Sequence, residues 1–266
     1  MFMEDMDWHA ARSALEWQLE LGAVDAIEES PVDRYGLAAV VPKVVIEPKT
    51  VVVSDHPTSA VGFLPEAQDP VALAEKAAAG ASDLVALKSA LAAFEYCDLK
   101  RGARSLVFSD GVLGSSVMIL TEPPNREEDV KGIPFAGASG YLLDKMLAAI
   151  GLSRHESVYI GTIVPWRPPQ DRDLKSEELS MLLPFLRRHI ELATPKILIC
   201  MGDTSCQAIL GKRGVSKLRG QMHNGLDLPV LPMFHPESLL NRPSLKSQAW
   251  QDLLSLKAWV RTQKET

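Results

Sequence analysis

Two glutamates and a histidine stand just past the ends of apolar runs, where a doubly wound chain would expose them. Glu122 and Glu128 fall in "TEPPNREEDVKGIPFAG" (residues 121–137), which follows the apolar "SSVMIL". His235 falls in "MFHPESLLNRP" (233–243), at the end of another apolar run. Glutamate and histidine are the usual side chains of acid–base chemistry. Phe135 lies between Pro134 and Gly137, where neither a helical nor a strand period asks for an aromatic. Gly132 and Gly137 let the backbone bend closely around it. A third segment, "PWRPPQDRD" (165–173), is rich in prolines, which fix backbone shape without donating hydrogen bonds.

The elements that must position these groups can be read from the pattern. "SLVF" (105–108), "SVMIL" (116–120), "SVYIGTIV" (157–164), "KILICMG" (196–202) and "LPVLPMF" (228–234) read as short strands. Helical stretches alternate with them: 139–152, 176–193 with Pro184 inside it, 203–211, and a closing helix over 244–263. This alternation predicts an α/β fold, three layers α/β/α around a central, mainly parallel sheet of four strands. In such sheets ligands bind beyond the carboxyl ends of the strands. Ahead of this lie a helix over 82–96, a proline-interrupted stretch over 37–70 that reads as a linker, and a helix over 7–22. The expected division is 1–80, an acidic helical extension and linker, and 81–266, the α/β domain.

Bulk properties set the class. Of 266 residues, 46% are apolar and 23% charged, an ordinary globular composition. No apolar run reaches the roughly 18–20 residues needed to cross a bilayer, and the acidic N-terminus does not resemble a signal peptide. The reading expects a cytoplasmic protein with no membrane partner. Residues 1–95 hold 16 acids and 6 bases, net −10; residues 96–266 hold 18 and 22, net +4. A mildly basic second part suits an anionic partner. Cys97, Cys200 and Cys206 form neither a disulfide framework nor a paired metal motif. No glycine-rich phosphate loop follows a strand, which argues against a nucleotide-binding Rossmann enzyme.

Three segments, "TEPPNREEDVKGIPFAGASGYLLD", "VYIGTIVPWRPPQDRD" and "PMFHPESLLNRP", together resemble the uracil-DNA glycosylase superfamily. The nearest resemblance is to the family-four type, which carries an iron–sulfur cluster. The likeness spans about residues 90–262 in the right order and spacing. It implies a DNA glycosylase that hydrolyses the N-glycosidic bond of a flipped, deaminated base in base excision repair, on single- or double-stranded DNA. Phe135 would stack on the base. Glu122, and next Glu128, would support the sugar cation or the attacking water, and His235 the leaving base. Gly161 or Thr162, with Pro123 and Asn125, would line the base. Leu239, Leu240 and Arg242 would enter the stack or grip phosphate. Lys212, Arg213, Lys217 and Arg219 of "GKRGVSKLRG" would track the backbone.

The sequence departs from the family pattern in three places. Thr121, Pro123 and Asn125 replace the first Gly, the Ala and the last Gly of Gly-Glu-Ala-Pro-Gly. Thr162, or Gly161 if the register slips, replaces the uracil-reading Asn, and a hydroxyl cannot make its bidentate contact. The four cluster cysteines correspond to Phe94, Cys97, Trp166 and Leu182, so one thiolate of four remains. No cofactor and no metal are expected, with the bulky replacements filling the cluster's space. The protein is expected to be a monomer, with residues 1–80 available to a protein partner. The competing reading is a catalytically degenerate DNA-binding or interaction protein on the same scaffold.

Overall fold

The computed structural model describes residues 69–264. The helices expected over 7–22 and the linker over 37–70 fall outside them, apart from the last positions of the linker. The described chain runs α1 Pro70–Ala79, α2 Leu84–Ala93, α3 Leu99–Gly102, β1 Ser109–Gly111, β2 Val117–Thr121, α4 Arg126–Lys131, α5 Ala138–Ala149 and β3 Val158–Thr162. It continues with α6 Ser176–Ala193, β4 Ile197–Met201, α7 Asp203–Leu210, α8 Val215–Leu218, β5 His223–Gly225, β6 Leu228–Met233, α9 Pro236–Asn241 and α10 Lys246–Lys264.

The sheet has six strands, in the order β1-β3-β2-β4-β6-β5, not the expected four. The inner four, β3, β2, β4 and β6, are parallel. Every residue of β2, β3 and β4 is buried, because helices cover both faces. That is why β2 and β4 in particular read as apolar runs. The two additional strands are antiparallel edges of three residues each. β5 folds back on β6 through Leu226 and Asp227, both at positive φ (52° and 60°), the geometry of a tight two-residue hairpin. Its sequence, "HNG", has no strand character of its own. On the other edge, β1 lies at 109–111 and not at the expected 105–108. "SLVF" runs past the end of β3 instead: the Val107 N–H donates to the Pro165 carbonyl, and Phe108 accepts from the Thr162 N–H. Pro165 has no N–H to return, so the regular ladder stops there.

Helix ends are set by local chemistry. Asp69 accepts from the Val71 N–H ahead of α1, with Pro70 at the first helical position. Asp83 accepts from the Ala86 N–H ahead of α2. Both helices pack on α6, and α5 packs on α9 and α10. The parallel strands all end on one side, so the segments after Thr121, Thr162, Met201 and Met233 gather there.

One buried ion pair ties the last layer together. Arg219 reaches Asp252, which is fully buried, through two bonds of 2.8 Å, and also meets the Gln248 carbonyl and the Phe234 ring. Removing one partner of such a pair strands the other without a counter-charge. Asp252→Ala is therefore expected to cost about 3–5 kcal/mol in urea denaturation. Lys217→Ala, at an exposed position two residues from Arg219, is expected to stay within about 0.5 kcal/mol of the parent.

Candidate active site

Glu122 is the first residue after β2. Its Oε1 accepts from the Asp203 N–H (3.0 Å) and the Thr204 N–H (3.3 Å), the first residues of α7. Those donors have no partner inside the helix, and the helix dipole favours a carboxylate there. The approach requires Gly202: at φ +102° its missing Cβ would lie 2.2 Å from the Glu122 carboxyl carbon. Burial raises the Glu122 pKa, and the two N–H bonds oppose the rise.

Glu128 does a different job. Asn125 caps α4 by accepting from the Glu127 and Glu128 N–H groups, and Glu128 Oε2 accepts from the Asn125 N–H in return. This is a reciprocal capping box. The other oxygen accepts from the Phe135 N–H. Glu128 is 3% exposed, and burial pushes its pKa up to about 7 against these two bonds.

Phe135 has φ 51°, left-handed backbone that a phenylalanine rarely adopts. Its carbonyl is met at 3.5 Å by Arg154 Nη1, whose guanidinium also reaches Asp144 (2.6 Å), Asp110 (3.1 Å) and the Gly140 carbonyl (3.2 Å). Gly140 must lack a side chain, because a Cβ would stand 1.7 Å from the Phe135 carbonyl oxygen. The Phe135 backbone is thus held from both sides.

The Phe135 ring stacks on the His235 ring, centroids 5.1 Å apart and planes 18° apart. His235 precedes α9 and is buried. Its Nδ1 accepts from the Glu237 N–H at 3.3 Å, and its Nε2 lies 3.1 Å from Thr121 Oγ1. The first bond needs a lone pair on Nδ1, so the ring proton belongs on Nε2. Burial pushes the His235 pKa down to about 4, so the ring is neutral near pH 7. The group is therefore a neutral N–H donor of fixed direction, suited to a developing anion. A cavity of about 280 Å³ opens at the same strand ends, with Glu122, Pro123, Asn125, Arg172, Thr204 and Glu237 in its lining; Phe135 and His235 are buried behind it and do not line it.

The remaining candidates are spread more widely. Thr162 is buried and its hydroxyl donates to the Val107 carbonyl at 2.6 Å. Gly161 lies under Met118 and His189, where a Cβ would come within 2.9 Å of the Met118 methyl. Leu239 is buried, whereas Leu240 is 41% exposed. Arg242, Lys212, Arg213 and Lys217 are exposed, and Arg213 bonds Gln207. Arg219 is engaged by Asp252, as described above. Arg154 and the Thr121 hydroxyl were not among the residues singled out from the sequence. Helix α4 was not foreseen either, although the Asn125-x-x-Glu128 capping pattern is a signal that could have found it; no local pattern announces a buried arginine whose partners lie far along the chain.

The positions that correspond to the family's cluster ligands do not fit a cluster. Phe94, Cys97, Trp166 and Leu182 are all buried in the hydrophobic core. Phe94 packs edge-on against Phe185 at 5.3 Å. One sulfur cannot replace four thiolates, and Cys97 has its pKa raised by burial. Cys200 lies in β4 and Cys206 in α7, both buried, with burial raising their thiols as well. Among the described residues no group of three or more His, Cys, Asp or Glu side chains is arranged to hold a metal, and no helix is long and apolar enough to cross a membrane.

Comparison with known proteins shows the family of the chain. The family model of the uracil DNA glycosylase superfamily matches residues 108–254. A type-4 uracil-DNA glycosylase of Archaeoglobus fulgidus is 34% identical over 165 residues, 59% of this chain and 82% of its own length. That of Sulfurisphaera tokodaii is 30% identical over 188 residues, 67% of this chain and 85% of its own. That of Saccharolobus solfataricus is 32% identical over 173 residues, 61% and 80%.

The buried histidines give a pH signature. His235 and His189 both have pKa values pushed from 6.5 to about 4 by burial. The unfolded chain binds protons at these rings first, so their contribution to stability is full above 6.5 and is lost as pH falls toward 4. His235→Gln removes one titrating ring. Urea midpoints measured from about pH 7 down to about pH 4.5 are expected to fall less steeply for the variant. Comparing parent and variant cancels the carboxylates, Glu128 included, whose raised pKa acts with the opposite sign.

Proposed function

Because the chain belongs to the uracil DNA glycosylase superfamily, we propose that it excises a deaminated base from DNA, the opening step of base excision repair. The observation that carries this reading is the neutral, direction-fixed His235 donor stacked beside a rigidly held Phe135 at the strand ends.

The base leaves the stack and lies on Phe135, which costs unstacking energy but exposes the glycosidic bond. The C1′–N bond breaks, and its electron pair departs with the base. The His235 side of the site supports the negative charge that builds on the base. Positive charge builds on the sugar at the same moment, and Glu122 faces the cavity beside it. A water adds to C1′ and gives up a proton, which Glu122 or the departing base accepts. Glu122 is favoured over Glu128 for this step, because both oxygens of Glu128 are occupied by backbone N–H groups. Glu128 acts instead as a positioning residue for Phe135.

For DNA engagement the exposed Leu240 is the better wedge, since Leu239 is buried in the core. Arg242, Lys212, Arg213 and Lys217 are exposed and suited to phosphate contact. Arg219 is better regarded as structural. A single copy supplies every residue used here, so the reading needs only a monomer. A cytoplasmic location and a protein partner for residues 1–80 remain part of the proposal.

The test is excision from uracil-, hypoxanthine- and xanthine-containing oligonucleotides, single- and double-stranded. Wild type is expected to leave abasic sites on at least one of them. His235→Ala is expected to lower the single-turnover rate by about 100-fold or more, the usual loss for one such donor. Leu240→Ala is expected to weaken double-stranded substrates more than single-stranded ones, because only the duplex leaves a stack to refill. DNA binding with no abasic product on any substrate overturns the glycosylase reading in favour of a non-catalytic DNA-binding protein.

A further inference from the structure

Thr121 is the last residue of β2, and its hydroxyl occupies the one hydrogen that His235 can donate. The Glu237 N–H on Nδ1 leaves Nε2–H as the ring's only donor. That donor is directed at Thr121 Oγ1, 3.1 Å away. Any group that draws on His235 must therefore displace this hydroxyl or act through it.

Displacement is opposed by the backbone. Thr121 is 1% exposed and sits in the β2–β3 ladder opposite Thr162. Its carbonyl accepts from the Ile163 N–H. A β-branched side chain in a strand has restricted χ1 freedom, and rotating the hydroxyl away would bring the methyl group or the Cβ hydrogen toward Nε2–H. That would leave a buried donor unpaired. The hydroxyl itself still has a hydrogen to give. Among the described residues its hydrogen-bond partner is His235, towards which it acts as acceptor. A hydroxyl that accepts one hydrogen bond becomes a stronger donor of its own. The Phe135 and His235 planes differ by 18°, so a flat base stacked on the same face of Phe135 meets the imidazole edge-on.

We infer that the Thr121 hydroxyl, and not the His235 ring, touches the leaving base: Nε2–H donates to Oγ1, and the Oγ1 hydrogen donates to a base carbonyl. The inference rests on the glycosylase reading above and names its donor. As the C1′–N bond breaks, the electron pair moves to the base and its charge collects on the carbonyl oxygen. The hydroxyl hydrogen bond shortens against that charge, and His235 in turn supports the hydroxyl oxygen. No oxidant or further reactant is needed. Thr121 then becomes a catalytic residue and His235 a positioning and polarising one. The family pattern has glycine at this position, which carries no hydroxyl, so the relay would be a feature of this chain's own sequence.

The experiment compares wild type with Thr121→Val, Thr121→Ser and Thr121→Gly in single-turnover excision on the best substrate of the oligonucleotide panel. Binding of the same DNA is measured by anisotropy and folding by thermal melts. Thr121→Val keeps the shape and loses the hydroxyl; it is expected to fall about 100-fold or more in rate with DNA affinity unchanged. Thr121→Ser restores the hydroxyl and is expected to remain within about tenfold of wild type, a rescue that a packing role would not produce. Thr121→Val excising at the wild-type rate overturns the relay, and so does Thr121→Gly excising faster than wild type, which would make the hydroxyl an obstruction. If wild type excises nothing while Thr121→Gly does, the scaffold is a glycosylase and the relay is overturned. If none of the four proteins excises any base, the glycosylase reading itself fails, and the relay with it.

Discussion

The candidate site depends on holding Phe135 in a backbone conformation that its side chain disfavours. A left-handed residue other than glycine costs about 1–2 kcal/mol, and here the residue is a bulky aromatic at φ 51°. Two long-range groups hold it: the Glu128 carboxylate on its N–H and the Arg154 guanidinium near its carbonyl. Glu128 is itself fixed by the Asn125 capping box, and Arg154 by Asp144 and Asp110. Gly140 gives the space for the Phe135 carbonyl and Arg154 to approach. The chain therefore uses one short helix, one buried cation and one bare backbone position to aim a single ring at His235.

The second constraint is charge. The Glu237 charge raises the pKa of both Glu122 and Glu128, on top of the larger effect of burial. Helix starts relieve part of this. Glu122 sits on the free N–H groups of α7, Glu128 in the first turn of α4, and Glu237 in the first turn of α9. All three helices begin just beyond the carboxyl ends of parallel strands, so their positive ends face one region. For Glu128 the relief is incomplete, and burial wins over two N–H bonds. Glu122 keeps an oxygen that no N–H claims, which separates its role from that of Glu128.

Much of this was legible in the sequence, and the rest was hidden for identifiable reasons. The inner strands were readable because a parallel strand covered on both faces must be apolar throughout, as in "VMILT" and "ILICM". The edge strands were not, because "SDG" and "HNG" pair through their neighbours' register and not through any preference of their own. α4 has six residues, too few to show a period, and went unread; its capping box is the one local signal that it carries. The post-strand location of Glu122, Phe135 and His235 followed from the topology. The contact between Thr121 and His235, 114 positions apart, could not follow from spacing. Arg154 was equally hidden, since its value lies in partners on three different segments.

Two threonines that share one rung of the sheet bear on the proposed base selection. Thr121 and Thr162 are register partners on β2 and β3, and each hydroxyl already has a fixed bond. Thr162 donates its hydrogen to the Val107 carbonyl, so the position that corresponds to the family's uracil-reading amide has no hydrogen left to give. A bidentate reading of the base edge is then unavailable from this side chain. On the relay reading, the Thr121 hydroxyl offers one donor and asks only for one carbonyl. Uracil, hypoxanthine and xanthine all carry such a carbonyl, whereas the ring edge that distinguishes them goes unread by either threonine. Discrimination would rest on the shape of the space around Phe135 and on nearby backbone groups. A rigid wall can reject a ring that is too large but cannot tell apart rings of equal size, so the expected preference is by ring size before ring pattern.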